Sequence, residues 1–334
     1  MTRTDARPVA LLGAGTIGGG WAATYLARGR PVVVADPAPG ARERLLGFLE
    51  ASWPSVRESA QGVSPDVPLQ LIEFAAPGEG ALRDVALVHE SGPEDLGAKR
   101  EIYDAVESEI GPGVPVLSSS GGLSPSALQA QMAHPERLVV AHPLSPVYAL
   151  PLVEVLGGDA TSAHVVHRVV DHLRTLAKRP VVLRREVPGY LTNRLTFALL
   201  REAVHCLAEG VADAQGIEDA VVYGITPRYL REGPIISLAL AGGPEGMPAA
   251  MRSFAPAIEQ WWADLGHPHL TEEVKSILIE AAEQVLAGRP LGQVLARRDE
   301  AVVKTMPRLH GDLAAPRAAD AGTANHLARQ DTSK

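Results

Sequence analysis

Two side chains suited to acid–base chemistry, His142 and Glu154, lie twelve residues apart among short apolar runs. His142 follows the run Leu138–Ala141 directly, and Glu154 interrupts the run at residues 152–155. A carboxylate is costly in an apolar run unless it is paired. A histidine beside such a carboxylate can remove a proton from a substrate hydroxyl while the carboxylate orients the ring. The alternatives are a histidine that caps a turn and a glutamate that faces water on an edge strand.

Asn193 is the third candidate for the chemistry. It lies near the start of a helix predicted from Gly189 to about Glu209, whose apolar residues occur on nearly all sides. Such a pattern predicts a buried helix, in which an amide needs hydrogen-bond partners. The alternative is an amide that bonds only to nearby backbone. No metal is expected at this site.

A glycine motif, Gly13-Ala14-Gly15-Thr16-Ile17-Gly18, follows the apolar run Val9–Leu12. The first glycine of such a motif permits a tight turn, the second admits a pyrophosphate, and the third lets the helix pack closely on the strand. Thr16 and Ile17 begin that helix, whose free N–H groups attract phosphate. The motif predicts dinucleotide binding; the alternative is a glycine turn without a ligand.

Asp36 ends the next apolar run, 18 residues after Gly18. At this distance a carboxylate can accept hydrogen bonds from the adenosine ribose. The same charge repels a 2′-phosphate. We therefore predict that the cofactor is NAD rather than NADP.

Strand and helix patterns alternate from the first glycine motif to about Arg185. This alternation predicts one Rossmann-type, doubly wound, mostly parallel α/β sheet. From Pro188 onward only helical patterns occur, at 189–209, 213–223, 233–242, 247–265 and 271–287. We assign residues 1–186 to an NAD-binding domain, 187–306 to an all-α domain for substrate and dimerisation, and 307–334 to a loose tail.

Composition limits the possible partners and compartment. The 334-residue chain is 46% hydrophobic, carries a net charge of −8 and has five lysines, which argues against nucleic acid or an anionic membrane as partner. No apolar run is long enough to span a membrane. A single cysteine, Cys206, excludes an internal disulfide and favours the reducing cytoplasm.

The segments HPLSPVYALPLVEV and PGYLTNRL resemble the NAD-dependent 3-hydroxyacyl-CoA dehydrogenase family. Within this family the chain resembles more closely the branch with L-carnitine dehydrogenase and L-gulonate 3-dehydrogenase (lambda-crystallin). The resemblance covers about residues 8–290 and implies a homodimeric oxidoreductase. It also implies roles for six residues: His142 as catalytic base, Glu154 as its partner, Asn193 on the substrate oxygen, Glu94 and Lys99 on the cofactor, and Arg228 near the substrate.

Two residues depart from the family pattern. Gly121 stands where the family has a substrate-binding serine, and Ser145 stands where an asparagine reaches the nicotinamide. Both changes remove side-chain donors from the reacting centre. Ser119 or Ser120 could replace the first donor, and Ser145 keeps a shorter one beside the cofactor.

The substrate class follows from charge. Coenzyme A carries phosphates, yet only Arg57 and Arg83 are basic between Leu45 and Ala98. We therefore expect an NAD-dependent dehydrogenase that interconverts a small free 3-hydroxy acid and its 3-oxo acid. The alternatives are an NAD-binding protein with lost or altered catalysis and a 3-hydroxyacyl-thioester dehydrogenase.

Overall fold

The computed structural model describes residues 7–75 and 80–310, except the side chain of His310. Its sheet contains eight strands: β1 (Val9–Leu12), β2 (Val32–Ala35), β3 (Ile72–Phe74), β4 (Leu87–Glu90), β5 (Val116–Ser118), β6 (Leu138–Pro143), β7 (Leu152–Gly157) and β8 (Arg179–Val182). Their order across the sheet is β3-β2-β1-β4-β5-β6-β7-β8. The first six strands are parallel, β7 is antiparallel to β6, and β8 is parallel to β7. The predicted α/β fold is confirmed.

Helices cover both faces of this sheet: α1 (Thr16–Leu26), α2 (Ala41–Ser59), α3 (Leu96–Glu107), α4 (Pro125–Gln129) and α5 (Ala163–Thr175). The central strands are short, rich in valine and buried on both sides, as parallel strands between helix layers must be. Two apolar clusters result. One contains Trp21, Leu45 and Val169 from α1, α2 and α5, and the other contains Tyr103 from α3 and Leu128 from α4.

The rest of the described chain is helical: α6 (Thr192–Ala208), α7 (Ala214–Asp219), α8 (Thr226–Tyr229), α9 (Pro234–Ala241), α10 (Met247–Asp264), α11 (Glu272–Leu286) and α12 (Leu291–His310). A π-helical turn, Ala220–Ile225, joins α7 to α8. Residues Arg194–Arg298 form one compact unit, and the remaining described residues form the other. No helix within residues 7–75 and 80–310 combines the length and the apolar character that crossing a bilayer requires.

The prediction that the first long helix is buried is wrong for the single chain. In α6, Leu195 is 59% exposed and Phe197 is 60% exposed, and only Val204 is buried. The sequence pattern shows that the helix is apolar all round, but it does not show that this chain covers it. The unit Arg194–Arg298 buries only two apolar side chains, Val204 and Ala250, so it has little core of its own.

The last helix extends into the segment that was predicted to be a loose tail. Residues 307–310 belong to α12. The remainder of that predicted tail, residues 311–334, lies outside the described residues.

Candidate active site

His142 and Glu154 are brought together by the pairing of β6 with β7. The two residues are direct partners in this antiparallel register, and such partners place their side chains on the same face. The Nδ1 atom of His142 lies 2.9 Å from Oε2 of Glu154. Glu154 is fully buried and lies on an interior strand. The alternative of a glutamate that faces water on an edge strand is therefore wrong.

Four groups donate hydrogen bonds to the Glu154 carboxylate. Besides His142 on Oε2, the Thr192 hydroxyl donates to Oε2 at 2.7 Å, and the backbone N–H groups of Leu191 and Thr192 each donate to Oε1 at 2.9 Å. Burial alone would raise the pKa of Glu154, but these hydrogen bonds outweigh it and lower the pKa below its usual value. Because the carboxylate is ionised and only accepts, Nδ1 of His142 carries the hydrogen.

The other ring nitrogen of His142, Nε2, faces Gly121. A Cβ atom added to Gly121 would lie 3.1 Å from this Nε2 and 3.7 Å from Nδ2 of Asn193. The Asn193 amide donates to the Gly121 carbonyl at 2.8 Å. Tyr190 packs edge-on against the imidazole, with the ring centroids 5.7 Å apart. Thus Nε2 of His142 and the amide of Asn193 both lie next to Gly121, whereas Glu154 contacts the other ring nitrogen of His142.

A tight turn before α6 supplies several of these contacts. Gly189 and Tyr190 both have positive φ, 72° and 50°, which is uncommon for a residue other than glycine. This turn points the N–H groups of the next two residues at Glu154. The Tyr190 hydroxyl donates to the Leu123 carbonyl, and burial raises its pKa well above the usual value. Tyr190 and Thr192 were not predicted; Gly189 in the motif PGYLTN was the available signal.

Glu94 holds the loop that carries Gly121. Its Oε1 atom accepts from the Ser120 hydroxyl at 2.6 Å and from the N–H groups of Gly121 and Gly122 at 3.0 and 3.1 Å. Its Oε2 atom lies 3.7 Å from the ammonium nitrogen of Lys99. The Glu94 side chain is 49% exposed, so it remains within reach of a bound ligand.

Lys99 is buried and paired with a carboxylate that sequence reasoning missed. Its Nζ atom donates to Oε1 of Glu90 at 2.6 Å. Glu90 also accepts from the Gly92 N–H and from the hydroxyls of Tyr103 and Ser118. Burial, followed by the charge of Glu90, raises the pKa of Tyr103 well above its usual value. Glu90 thus fixes the loop after β4; its place at the end of a buried strand was the only signal.

The hydroxyls that could replace the missing serine have other partners. Ser119 shares a hydrogen bond of 2.9 Å with Ser91 and accepts from the Trp21 indole at 3.2 Å. Ser120 is buried and bonded to Glu94. Ser145 is exposed on the loop after β6, and Arg228 lies in the unit Arg194–Arg298. Substrate or cofactor contacts by these four residues stay predictions.

The glycine turn has the shape that a pyrophosphate needs. Gly13 has φ of +93°, and a Cβ atom there would lie 2.6 Å from the Ser91 carbonyl oxygen. A Cβ atom on Gly18 would lie 1.9 Å from the Gly13 carbonyl oxygen. A Cβ atom on Gly15 would meet no atom within 4 Å apart from its chain neighbours, and Thr16 and Ile17 begin α1 directly after it. These positions fit a bound dinucleotide as the sequence predicts.

Asp36 borders a cavity of about 310 Å³ beside this turn. One carboxylate oxygen accepts from the Ala14 N–H at 2.7 Å, and the other accepts from the Ala38 N–H at 2.8 Å. A carboxylate has about four acceptor sites, so Asp36 can still bind ribose hydroxyls. Within the described residues, no group of three or more His, Cys, Asp or Glu side chains is arranged to hold a metal ion.

Oxidation of an alcohol by a nicotinamide requires a dinucleotide crevice and a base beside it. The described sheet carries a glycine turn that fits a dinucleotide and a histidine hydrogen-bonded to a buried carboxylate, an arrangement typical of an NAD-dependent dehydrogenase that acts on a CH–OH group. Residues 8–187 match the family model for the 3-hydroxyacyl-CoA dehydrogenase NAD-binding domain, and residues 189–260 match that for its C-terminal domain. The chain belongs to the 3-hydroxyacyl-CoA dehydrogenase family.

Individual relatives support this family and its cofactor. An L-carnitine dehydrogenase of Oceanobacillus iheyensis is 37% identical over 89% of this chain and 96% of its own. The structure of 5-formyl-3-hydroxy-2-methylpyridine 4-carboxylic acid 5-dehydrogenase, an NAD+-dependent dismutase, has a TM-score of 0.78 and 27% identity, covering 91% of this chain and 99% of that chain. The structure of the (S)-3-hydroxybutyryl-CoA dehydrogenase of Ralstonia eutropha has a TM-score of 0.60 and 26% identity, and the match covers 75% of this chain and 87% of that chain.

Proposed function

We propose that the protein interconverts a small free 3-hydroxy acid and its 3-oxo acid, with NAD as hydride acceptor or donor. The main observation that supports this proposal is the His142–Glu154 pair, in which Nε2 of His142 faces the space beside Gly121 and Asn193. An imidazole that is hydrogen-bonded to a carboxylate through one nitrogen and has its other nitrogen free is suited to removing the proton of a secondary alcohol.

Each residue of the site has a proposed role. When bound, the nicotinamide supplies the hydride acceptor. His142 takes the hydroxyl proton on Nε2, and Glu154 stabilises the imidazolium that forms. Asn193 uses one amide hydrogen on the Gly121 carbonyl, and we assign its second amide hydrogen to the substrate oxygen.

The cofactor is held at the carboxyl ends of the central strands. Gly13, Gly15, Thr16, Ile17 and Gly18 form the pyrophosphate turn, and Asp36 accepts from the adenosine ribose. We assign Glu94, whose side chain is half exposed, and Ser145, on the loop after β6, to the nicotinamide half of the cofactor. Lys99 supports Glu94 through its ammonium group.

A free acid is favoured over a thioester by charge. The segment from Leu45 to Ala98 contains only two basic residues, Arg57 and Arg83, whereas coenzyme A carries several phosphates. The relatives named L-carnitine dehydrogenase support the same class of substrate. Arg228 is the proposed contact for the substrate carboxylate, and Ser119 and Ser120 are the proposed replacements for the missing serine hydroxyl.

The second candidate is a protein that binds NAD without turnover. Gly121 lacks the hydroxyl that the family places at this position, and the hydroxyls of Ser119 and Ser120 point to other partners. The intact His142–Glu154 pair opposes this alternative, since a protein that only binds NAD has no need of a buried histidine–carboxylate hydrogen bond beside the crevice.

Incubation of the protein with NAD+ and a panel of substrates separates these candidates. The panel contains short free 3-hydroxy acids, a 3-hydroxy acid with a quaternary ammonium group, and a 3-hydroxyacyl-CoA. We expect NADH absorbance to rise with at least one free acid. A rise with the thioester alone would refute the free-acid substrate. Binding of NAD+ without NADH formation from any member, or from 3-oxo acids in reverse, would support the binding role.

We also propose a cytoplasmic homodimer with an NAD-binding domain at residues 1–186 and a helical domain at 187–306. The single cysteine supports the cytoplasm as the compartment.

The unit Arg194–Arg298 leaves large apolar side chains in solvent, including Phe197, Trp261 and Trp262 at 60 to 70% exposure. Such a surface indicates a contact with another copy. Sedimentation should give twice the chain mass, and Phe197→Glu should lower it; a monomeric parent would refute the dimer.

A further inference from the structure

We propose that Arg42 is a second residue that decides between NAD and NADP, working with Asp36. Arg42 and Phe74 form one wall of the adenosine cavity, and the guanidinium binds the cofactor there by stacking. The Asp36 carboxylate repels the 2′-phosphate of NADP and so prevents this phosphate from binding to the Arg42 guanidinium.

The geometry of the cavity supports the stacking role. The Cζ atom of Arg42 lies 4.8 Å from the centroid of the Phe74 ring. Both side chains border the cavity of about 310 Å³ that Asp36 also borders. The lining also includes the small side chain of Ala14 and the aliphatic side chain of Val34. A planar base entering this cavity meets the delocalised face of a guanidinium already held by a ring.

The charges around the cavity support the discriminating role. Among the described residues, its lining carries one cationic group, Arg42, and two anionic groups, Asp36 and Glu43. Asp36 is held by the Ala14 and Ala38 N–H groups, so its charge is fixed at the cavity. The two carboxylates therefore repel a doubly charged 2′-phosphate more strongly than the single guanidinium attracts it. If the charge of Asp36 is removed, the phosphate can pair with Arg42, because a guanidinium binds phosphate oxygens in a bidentate manner.

The test is a cycle of four proteins: the parent, Asp36→Ser, Arg42→Met and the double variant. Calorimetry measures the Kd of NAD+ and NADP+ for each protein without any substrate. Arg42→Met should weaken NAD+ binding about two- to fivefold. Asp36→Ser should raise the affinity for NADP+ relative to NAD+ by about tenfold or more, and the double variant should lose most of that gain.

Two controls accompany the cycle. Arg44→Met changes a neighbouring arginine of α2 whose guanidinium donates to the Pro39 carbonyl and does not line the cavity; it should leave both Kd values unchanged. Asp36→Asn, which keeps an acceptor for the Ala14 N–H, replaces Asp36→Ser if the serine variant melts at a lower temperature. The proposal is overturned if Arg42→Met leaves NAD+ binding unchanged, if neutral variants of Asp36 gain no NADP+ affinity, or if the double variant keeps the gain.

Discussion

At the scale of single residues, the site depends on a carboxylate that is saturated with donors. Glu154 accepts from one imidazole, one hydroxyl and two backbone N–H groups. Because these bonds lower its pKa, the carboxylate keeps its charge through the physiological range. We infer that it acts as a fixed counter-charge for His142 and does not itself exchange the substrate proton.

Thr192 provides a test of how tightly this carboxylate must be held. Thr192→Val removes the hydroxyl on Oε2 but keeps the branched shape and the backbone N–H. We expect kcat to fall about three- to tenfold, since a hydrogen bond to a charged group is lost, with KM and the Kd of NAD+ unchanged. Thr192→Ser, which keeps the hydroxyl, should have the kcat of the parent. Equal kcat in parent and Thr192→Val would show that the hydroxyl does not position Glu154.

Gly121 leads to a second prediction. A serine Cβ there would lie 3.1 Å from His142 Nε2, so its hydroxyl would enter the reacting space. A donor to an oxygen that gains charge lowers the barrier by roughly 2.7–4 kcal/mol. If turnover has been lost, Gly121→Ser with Ser145→Asn should create activity. If Gly121 instead makes room for the native substrate, Gly121→Ser should lower kcat/KM on it. Unchanged kcat/KM across the hydroxy-acid panel would contradict both expectations.

Some of these residues were visible in the sequence and others were not. His142 and Glu154 stood out as polar side chains at the end or in the middle of apolar runs. Thr192 and Glu90 did not, because their importance comes from partners distant in the chain. Glu154 and Thr192 are 38 residues apart, and no local pattern encodes such a contact.

At the scale of elements, the strand pair β6–β7 converts a sequence spacing into a geometry. His142 and Glu154 face each other only because β7 runs antiparallel to β6. The apolar runs predicted both strands, but not the reversal, since runs of this kind carry no direction. The turn at Gly189 and Tyr190 then adds the remaining donors, and a positive φ at a tyrosine cannot be inferred from residue type.

The connection between α5 and β8 contains Lys178, whose burial predicts a pH effect on stability. Its Nζ atom donates to the carbonyls of Val147 and Leu150. Desolvation, and to a lesser extent the charge of Arg28, lowers the pKa of Lys178 to about 7. In the unfolded chain the amine keeps its proton to about pH 10.4. Between these values the unfolded state binds more protons, so the free energy of unfolding should rise with pH.

Chemical denaturation of the parent and Lys178→Met at pH 7 and pH 9 tests this effect. We expect the free energy of unfolding of the parent to rise by about 2 kcal/mol more than that of the variant. An equal change in both proteins would mean that Lys178 stays protonated in the folded protein.

At the scale of the whole molecule, the alternation of strands and helices predicted the Rossmann-type sheet correctly. Burial in the helical part was predicted wrongly, because an apolar helix indicates that something covers it but not which chain does. The exposed apolar side chains from Leu195 to Leu295 are explained if two copies complete one core. That proposal also makes the stability of the unit depend on protein concentration.

The most direct test of the central claim is turnover of His142→Ala with the best 3-hydroxy acid of the panel. We predict that kcat falls by roughly 10²–10⁴, while the Kd of NAD+ and the melting temperature stay close to those of the parent. His134→Ala is the matched control, because His134 is an exposed histidine that pairs with Glu136 away from the crevice; it should turn over like the parent. A folded His142→Ala protein with the kcat of the parent would contradict the assignment of His142 as the base.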